Sequence, residues 1–599
     1  MRETMRHRGP DHAGLWISPD GRVALGHRRL SIVDLSASAN QPFVDNSGRL
    51  AITFNGEIYN HTELRAELES VGSAFRTKCD TEVILEGYRV WGEEIVPRLN
   101  GMFAFAIHDA SRRKLFLARD RAGEKPLFYS MNRGEFRFAS ELKAIMADPA
   151  FEARLDYQSV ESYLAYGYVL GEKCILRDVR KLLPGYSLTI DLDSTAGSPK
   201  QFWKLPEPST METGLDELAH ELEHLLRDSV RRQLVADVPV GVLLSGGLDS
   251  SLVTAAAAGA SSRRVRTFTV RFPGHHQHDE GEFARVVSDH FNTEHVELVA
   301  EPASVEVLPL LAEQFDEPMC DSSMIPTYLI SQQIRKSATV ALGGDGGDEL
   351  FGGYRSYELL LKQQWIASLL PAAVRRVISR AARHIVPVGM KGRNYLSALD
   401  TQLGARIASA RRLFDESYRR RLVPDLGSGP SEAETLGAGL CDPTLGLPGA
   451  AMAADFRGYL SGDILVKVDR ASMLASLEVR SPWLDYRIID FAFSRVPNRF
   501  RIRGSKQKIV SREVARSMLP ASLNLDRKQG FSLPLQSWLQ GSWGSYVSDV
   551  LFDPSSTFFN GKAVRSLFEG QKRGYSNGER IFALVLFELW RRKYRPHLS

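Results

Sequence analysis

A chain of 599 residues is too long for one hydrophobic core, because single cores stop growing at roughly 250–300 residues, so two or three domains are expected. Its 43% apolar and 25% charged residues are ordinary globular values that exclude wholesale disorder, and no apolar run approaches the ~18 residues a bilayer span needs. Residues Met1 to Gly14 lack an apolar signal core, and a net charge of +4 with scattered arginines leaves no nucleic-acid footprint, so a cytoplasmic protein with neither nucleic acid nor membrane as a partner is expected.

Up to about Gly185, short alternating segments such as RVALGHRRLSIV, RLAITFNGEIYN and MFAFAIHDASRRKLFLARDR are broken by Gly, Asn and Asp. Period-two apolar spacing with tight turns predicts a β-rich antiparallel domain over residues 1–190, interrupted by one helix at His61 to Val71. Residues 191–213, containing DLDSTAGSPK and KLPEPST, read as a linker. From 214 to 599 the pattern changes: VPVGVLL, RTFTVRF and ATVALGG are buried-strand runs alternating with helices, which predicts a parallel sheet covered on both faces. After Tyr354 the chain is mostly amphipathic helix. Its densest basic stretch, Arg375 to Arg421, sets apolar residues at helical spacing among arginines and reads as solvated helix faces. Cys79, Cys174, Cys320 and Cys441 lie far apart, without zinc-ligand spacing, and read as reduced thiols.

The most specific string is Ser245-Gly246-Gly247-Leu248-Asp249-Ser250-Ser251, set between an apolar strand and a helix. Its glycines let backbone N–H groups approach an anion, the three hydroxyls add donors, and the helix contributes its positive end, which together make a pyrophosphate cradle. Asp249 supplies a carboxylate for a metal bridging phosphates, here Mg²⁺. The plainer reading, a Ser/Gly turn capping a helix, suits a lone S-G-G better than seven residues in this context. A second Gly-rich loop, Leu342 to Tyr354, carries Asp345, Asp348 and Glu349 after another strand.

SGGLDSS resembles the PP-loop of ATP pyrophosphatases. With LGGDGGDELFGGY, DEPMCDSSMIPTYL, DILVKVDRASM and SLEVRSPWLD, it is similar to glutamine-dependent asparagine synthetases. The resemblance implies that Leu243 and Val270 contact adenosine, that Ser245, Gly246, Gly247, Ser250, Ser251, Gly343 and Gly344 lie against ATP, and that Asp249 and Asp348 share Mg²⁺. It places Asp345 where the intermediate and incoming ammonia are handled, and Lys508 where a cation meets the charge on the α-phosphate. The implied reaction activates aspartate as β-aspartyl-AMP, then displaces AMP with ammonia. Other amide- or lactam-forming synthetases and a non-catalytic nucleotide-binding protein are the alternatives.

In the first domain, Asn55 and Gly56 can donate two hydrogen bonds to an oxyanion, Arg29 can clamp a carboxylate, and Glu57 and Asp80 can hold an α-ammonium, a set that suits glutamine. With RHRGPD, GHRRLSIVD, ARDRAGEKPL and FASELKA, these residues resemble the class II amidotransferase domain. The whole is therefore expected to be an α+β N-terminal-nucleophile glutaminase domain of αββα layering followed by an α/β PP-loop synthetase domain with a mostly helical C-terminal part. Small-molecule substrates (ATP, aspartate, and glutamine or ammonia) and a homodimer are carried over with it. In that family the mature chain begins with a nucleophilic cysteine, whereas residues 1 and 2 here are Met and Arg. Met1 is expected to be an internal methionine, and Cys79 a buried bystander.

Overall fold

The computed structural model describes residues 1–132, 134–271, 280–299, 304–426, 431–526, 535–555 and 558–598. In the first half, β1 (His12–Ile17) and β2 (Ala24–Arg29) form an antiparallel pair. The main sheet contains β3 (Phe43–Val44), β4 (Leu50–Ile58), β5 (Gly101–Asp109) and β6 (Lys114–Arg119). A smaller sheet holds β7 (Phe128–Asn132), β8 (Glu135–Ala139) and β9 (Val179–Lys181), and β10 (Tyr186–Asp191) and β11 (Pro199–Gln201) complete the main one. Its order is β11-β10-β6-β5-β4-β3, antiparallel throughout.

The period-two pattern sorts β5 as expected. Phe103, Phe105 and Ile107 pack under helices His61–Ser70 and Asp80–Trp91, while Ala104 and Ala106 face a second core with Leu25 and Tyr129. Of those two helices only the first was read from the sequence; in Asp80–Trp91 the short buried run Val83-Ile84-Leu85 looks equally like a strand. The stretch read as a linker contributes the edge strand β11, so the sheet continues past residue 190 to Gln201.

The second half is built on β12 (Val240–Leu243), β13 (Arg266–Arg271), β14 (Glu294–Val299), β15 (Val340–Leu342) and β16 (Glu478–Arg480), all parallel, in the order β14-β13-β12-β15-β16. The string RTFTVRF forms β13 except for Phe272, which lies outside the described residues. The strand order reverses between β12 and β15, and ligands of open α/β sheets bind at the carboxyl ends of strands beside such a reversal. The two Gly-rich loops follow β12 and β15. Helices dominate from Arg355 onward. The two halves share core: Tyr163, beside Leu142 and Leu164, packs on Phe587 and donates its hydroxyl to Ala583 O at 2.7 Å. No helix among the described residues is long and apolar enough to cross a membrane.

Candidate active sites

At the sheet reversal lies a cavity of about 320 Å³, within the roughly 300–1,000 Å³ usual for small-molecule sites. Leu243, Ser245, Gly246, Gly247, Asp249, Ser250, Val270, Gly344, Asp345, Asp348 and Lys508 all line it. Gly246 has φ +71°, and a Cβ there would come within 2.5 Å of the Phe283 Cβ, so the turn requires glycine. Gly247 caps the helix Leu248–Ala260 with no side chain of its own, leaving the first-turn amides to a ligand. The Ser245 and Ser250 hydroxyls meet at 2.9 Å and set the loop's shape. Ser251 and Gly343 do not line the cavity. Ser251 is fully buried one turn into the helix, where its amide donates to Gly247 O, and a Cβ on Gly343 would stand 2.9 Å from Asp345 Oδ2.

Lys508 Nζ bridges the two acids, contacting Asp249 Oδ2 and lying 2.5 Å from Asp348 Oδ1. Lys508 itself adopts the left-handed conformation, φ +55°, immediately before the helix Ile509–Met518, a strained position for a residue with a side chain and the kind that collects at functional sites. Burial alone would lower its pKa, but Asp249 and Asp348 overcome this and raise it, so the ammonium stays charged. A Cβ at Gly353 would sit 1.8 Å from Asp348 Oδ1, and one at Gly347 2.6 Å from the Asp249 carboxyl carbon; both glycines let the loops close on the acids. The Lys508 ammonium lies between the two carboxylates, which as hard oxygen donors lining the cavity suit a Mg²⁺ that would take its other ligands from phosphates and water. Among the described residues there is no group of three or more His, Cys, Asp or Glu that would cage a metal by itself. Burial raises the pKa of Asp345, with Lys467 pulling it down.

The second centre is a cavity of about 780 Å³ in the first half, and Arg29, Asn55, Gly56, Glu57 and Asp80 all border it. Gly56, φ +147°, is required because a Cβ would lie 2.0 Å from Met102 O on the neighbouring strand. Asn55 Nδ2 reaches Ser140 Oγ at 3.4 Å. The remaining groups are engaged. Arg29 donates to Ser36 O, Asn40 Oδ1, Val33 O and Asp34 O, holding the loop over the cavity; Asp80 accepts from Ile58 N at 2.9 Å. Glu57 pairs with Arg480 at 2.9 Å; burial and Asp80 push its carboxyl pKa up while Arg480 opposes them. Cys79 borders the same cavity, but burial lifts its thiol to about 11, which agrees with a bystander.

Sequence reasoning missed what joins the two centres. Arg8 forks onto Asp469 at 2.7 and 2.9 Å and touches Glu141 at 3.0 Å; Arg470 reaches Glu141 at 2.9 Å and Asp316 at 3.1 Å. All five side chains are buried, and they come from RHRGPD, FASELKA, DEPMCDSSMIPTYL and DILVKVDRASM. Those strings carry the clamp between the halves.

The family model described as "Glutamine amidotransferase domain" matches residues 1–203, and that described as "Asparagine synthase" matches residues 221–592. The chain is 31% identical to a Bacillus subtilis protein named "Asparagine synthetase [glutamine-hydrolyzing] 1", over 98% of this chain and 92% of the relative. A Mycobacterium tuberculosis protein named "Putative asparagine synthetase [glutamine-hydrolyzing]" is 32% identical over 99% and 93%. A Gibberella zeae protein named "Amidase chry2" is 26% identical over 92% and 86%.

Proposed function

Since the chain belongs to the asparagine synthase family, whose members are ATP-dependent, glutamine-hydrolysing amide ligases, we propose that its acceptor is aspartate and its product asparagine. The observation that carries this reading is Lys508 held between Asp249 and Asp348 at the sheet reversal. ATP's phosphates take the amides after β12, with the adenosine against Leu243 and Val270. An oxygen of the aspartate side-chain carboxylate attacks the α-phosphorus, the α–β anhydride breaks, and pyrophosphate leaves, giving β-aspartyl-AMP. Lys508 meets the charge that builds on the phosphate oxygens, a preorganised stabilisation of about 3 kcal/mol. Mg²⁺ would be held by Asp249 and Asp348, and when bound it screens the departing pyrophosphate. Ammonia then attacks the acyl carbon near Asp345, AMP leaves with the carboxylate oxygen, and the nitrogen loses a proton.

At the other centre Asn55 and the Gly56 amide would receive the oxyanion of glutamine hydrolysis. The test is exchange of labelled pyrophosphate into ATP with single carboxylic acids. Exchange that requires aspartate supports the reading, and exchange only with other acids sinks it. A related acid is the second reading, favoured by the relative named as an amidase, which spans the same length of chain.

A further inference from the structure

The basic stretch after Tyr354 is not simply a solvated face. The helix Arg355–Leu369 buries Leu360, Gln363 and Ala367, and its opposite side presents Trp365, Ile366 and Leu369, with Trp365 65% and Leu369 63% exposed. The next helix, Ala372–His384, buries Ser379 and Ala382. A second side of it carries Val374 and Val377, spaced i, i+3, and Ile385 follows just past the helix end; Val377 and Ile385 are 68% and 76% exposed. A third side carries exposed Arg376, Arg380 and His384 at i, i+4, i+8. Each helix thus buries one face and leaves an apolar one open, an arrangement rare on a protein meant to meet only water.

Charge distinguishes this surface from an ordinary sticky patch. Residues 355–391 contain seven arginines and lysines against the single acid Glu358, which Lys362 already pairs at 2.5 Å; this stretch alone is more positive than the +4 of the whole chain. Arg376 and Arg380 make no ion pair among the described residues. An apolar stripe edged by arginines is what a helix lying in the plane of an anionic membrane surface presents, with its apolar side chains at the headgroup boundary and its cations on phosphates. A second copy of the chain is a poorer occupant, because a twofold contact would set this positive surface against itself.

We propose that the surface formed by Trp365, Leu369, Val377, Arg376 and Arg380 docks the enzyme peripherally on anionic phospholipid. This contact is separate from a span, which no helix among the described residues is long and apolar enough to make, and it does not depend on the identity of the acceptor acid. The intact protein is sedimented with vesicles of phosphatidylcholine alone and with vesicles containing phosphatidylglycerol. Binding is expected only with phosphatidylglycerol and should fall as salt rises. At about fivefold per lost basic contact, R376E/R380E should weaken binding by tenfold or more; W365S/L369S should weaken it at low salt as well. Both variants should keep the parent's ATP–pyrophosphate exchange and melting temperature. No binding to phosphatidylglycerol vesicles, or equal binding to both compositions, overturns the proposal. So does concentration-dependent dimerisation that W365S/L369S abolishes, which would assign the surface to a second copy, and so does RNA or an acidic protein competing where vesicles fail.

Discussion

The two catalytic centres are built in opposite ways. The cavity proposed for the nucleotide draws most of its groups from two short loops at one point of a sheet, and Lys508, brought in from the start of a later helix, pairs there with Asp249 and Asp348. The amidotransferase cavity gathers its groups from three stretches of chain, and several already have structural duties: Arg29 holds a loop, Asp80 a backbone amide, and Glu57 an arginine of the other half. A site made mostly of neighbouring loops is poised largely by local geometry. One made of borrowed residues depends on the rest of the molecule, so damage elsewhere should reach it first.

Arg480→Met should break the comparison hardest. It strips the cation from Glu57 and Glu478, both buried, and should cost about 3–5 kcal/mol in denaturant unfolding because two desolvated carboxylates lose their partner. Lys508→Met should leave stability much nearer the parent's while slowing acceptor-dependent pyrophosphate exchange roughly 100-fold, about 3 kcal/mol of transition-state stabilisation; an exchange rate within threefold of the parent would remove Lys508 from the chemistry. Acid should destabilise the fold around the large cavity of the first half. Burial, with Arg29 and His12 nearby, lowers the pKa of His27 beside the large cavity from 6.5 to about 3. A depressed folded-state value contributes stability that is complete above pH 6.5 and is lost as pH falls toward 3, about 2 kcal/mol at most for a partly exposed ring. His27→Gln should flatten that part of the stability profile. The smallest effect is expected from Asn55→Ala, which should leave ammonium-driven amide formation unchanged; a loss there would show that the two centres are not separable.

How much of this was legible in the sequence followed the same division. SGGLDSS and GGDGGDE could be read because strand, turn and helix are consecutive, and eight of the ten residues expected against the nucleotide line its cavity. Ser251 was misplaced because a run of hydroxyls looks uniform in sequence, whereas the helix turns the last one inward. The clamp of Arg8, Glu141, Asp316, Asp469 and Arg470 was illegible as a unit: Arg8 and its partner Asp469 are 461 positions apart, and nothing local announces such a pair. The helix Asp80–Trp91 was lost for a different reason: its short apolar run Val83-Ile84-Leu85 suits a buried strand as well as a helix.

That clamp also bears on how such a protein is assembled in time. Its two arginines and three acids are dry, and each half carries an unequal share: Arg8 and Glu141 on one side, Asp316, Asp469 and Arg470 on the other. While a ribosome is still making the later residues, Arg8 has no Asp469 to receive it, so the early half must keep that seam hydrated until about three quarters of the chain exists. Folding of the seam is thereby deferred to the last quarter of synthesis, and a polypeptide cut between the halves would present wet charges where the joined one has a closed interior.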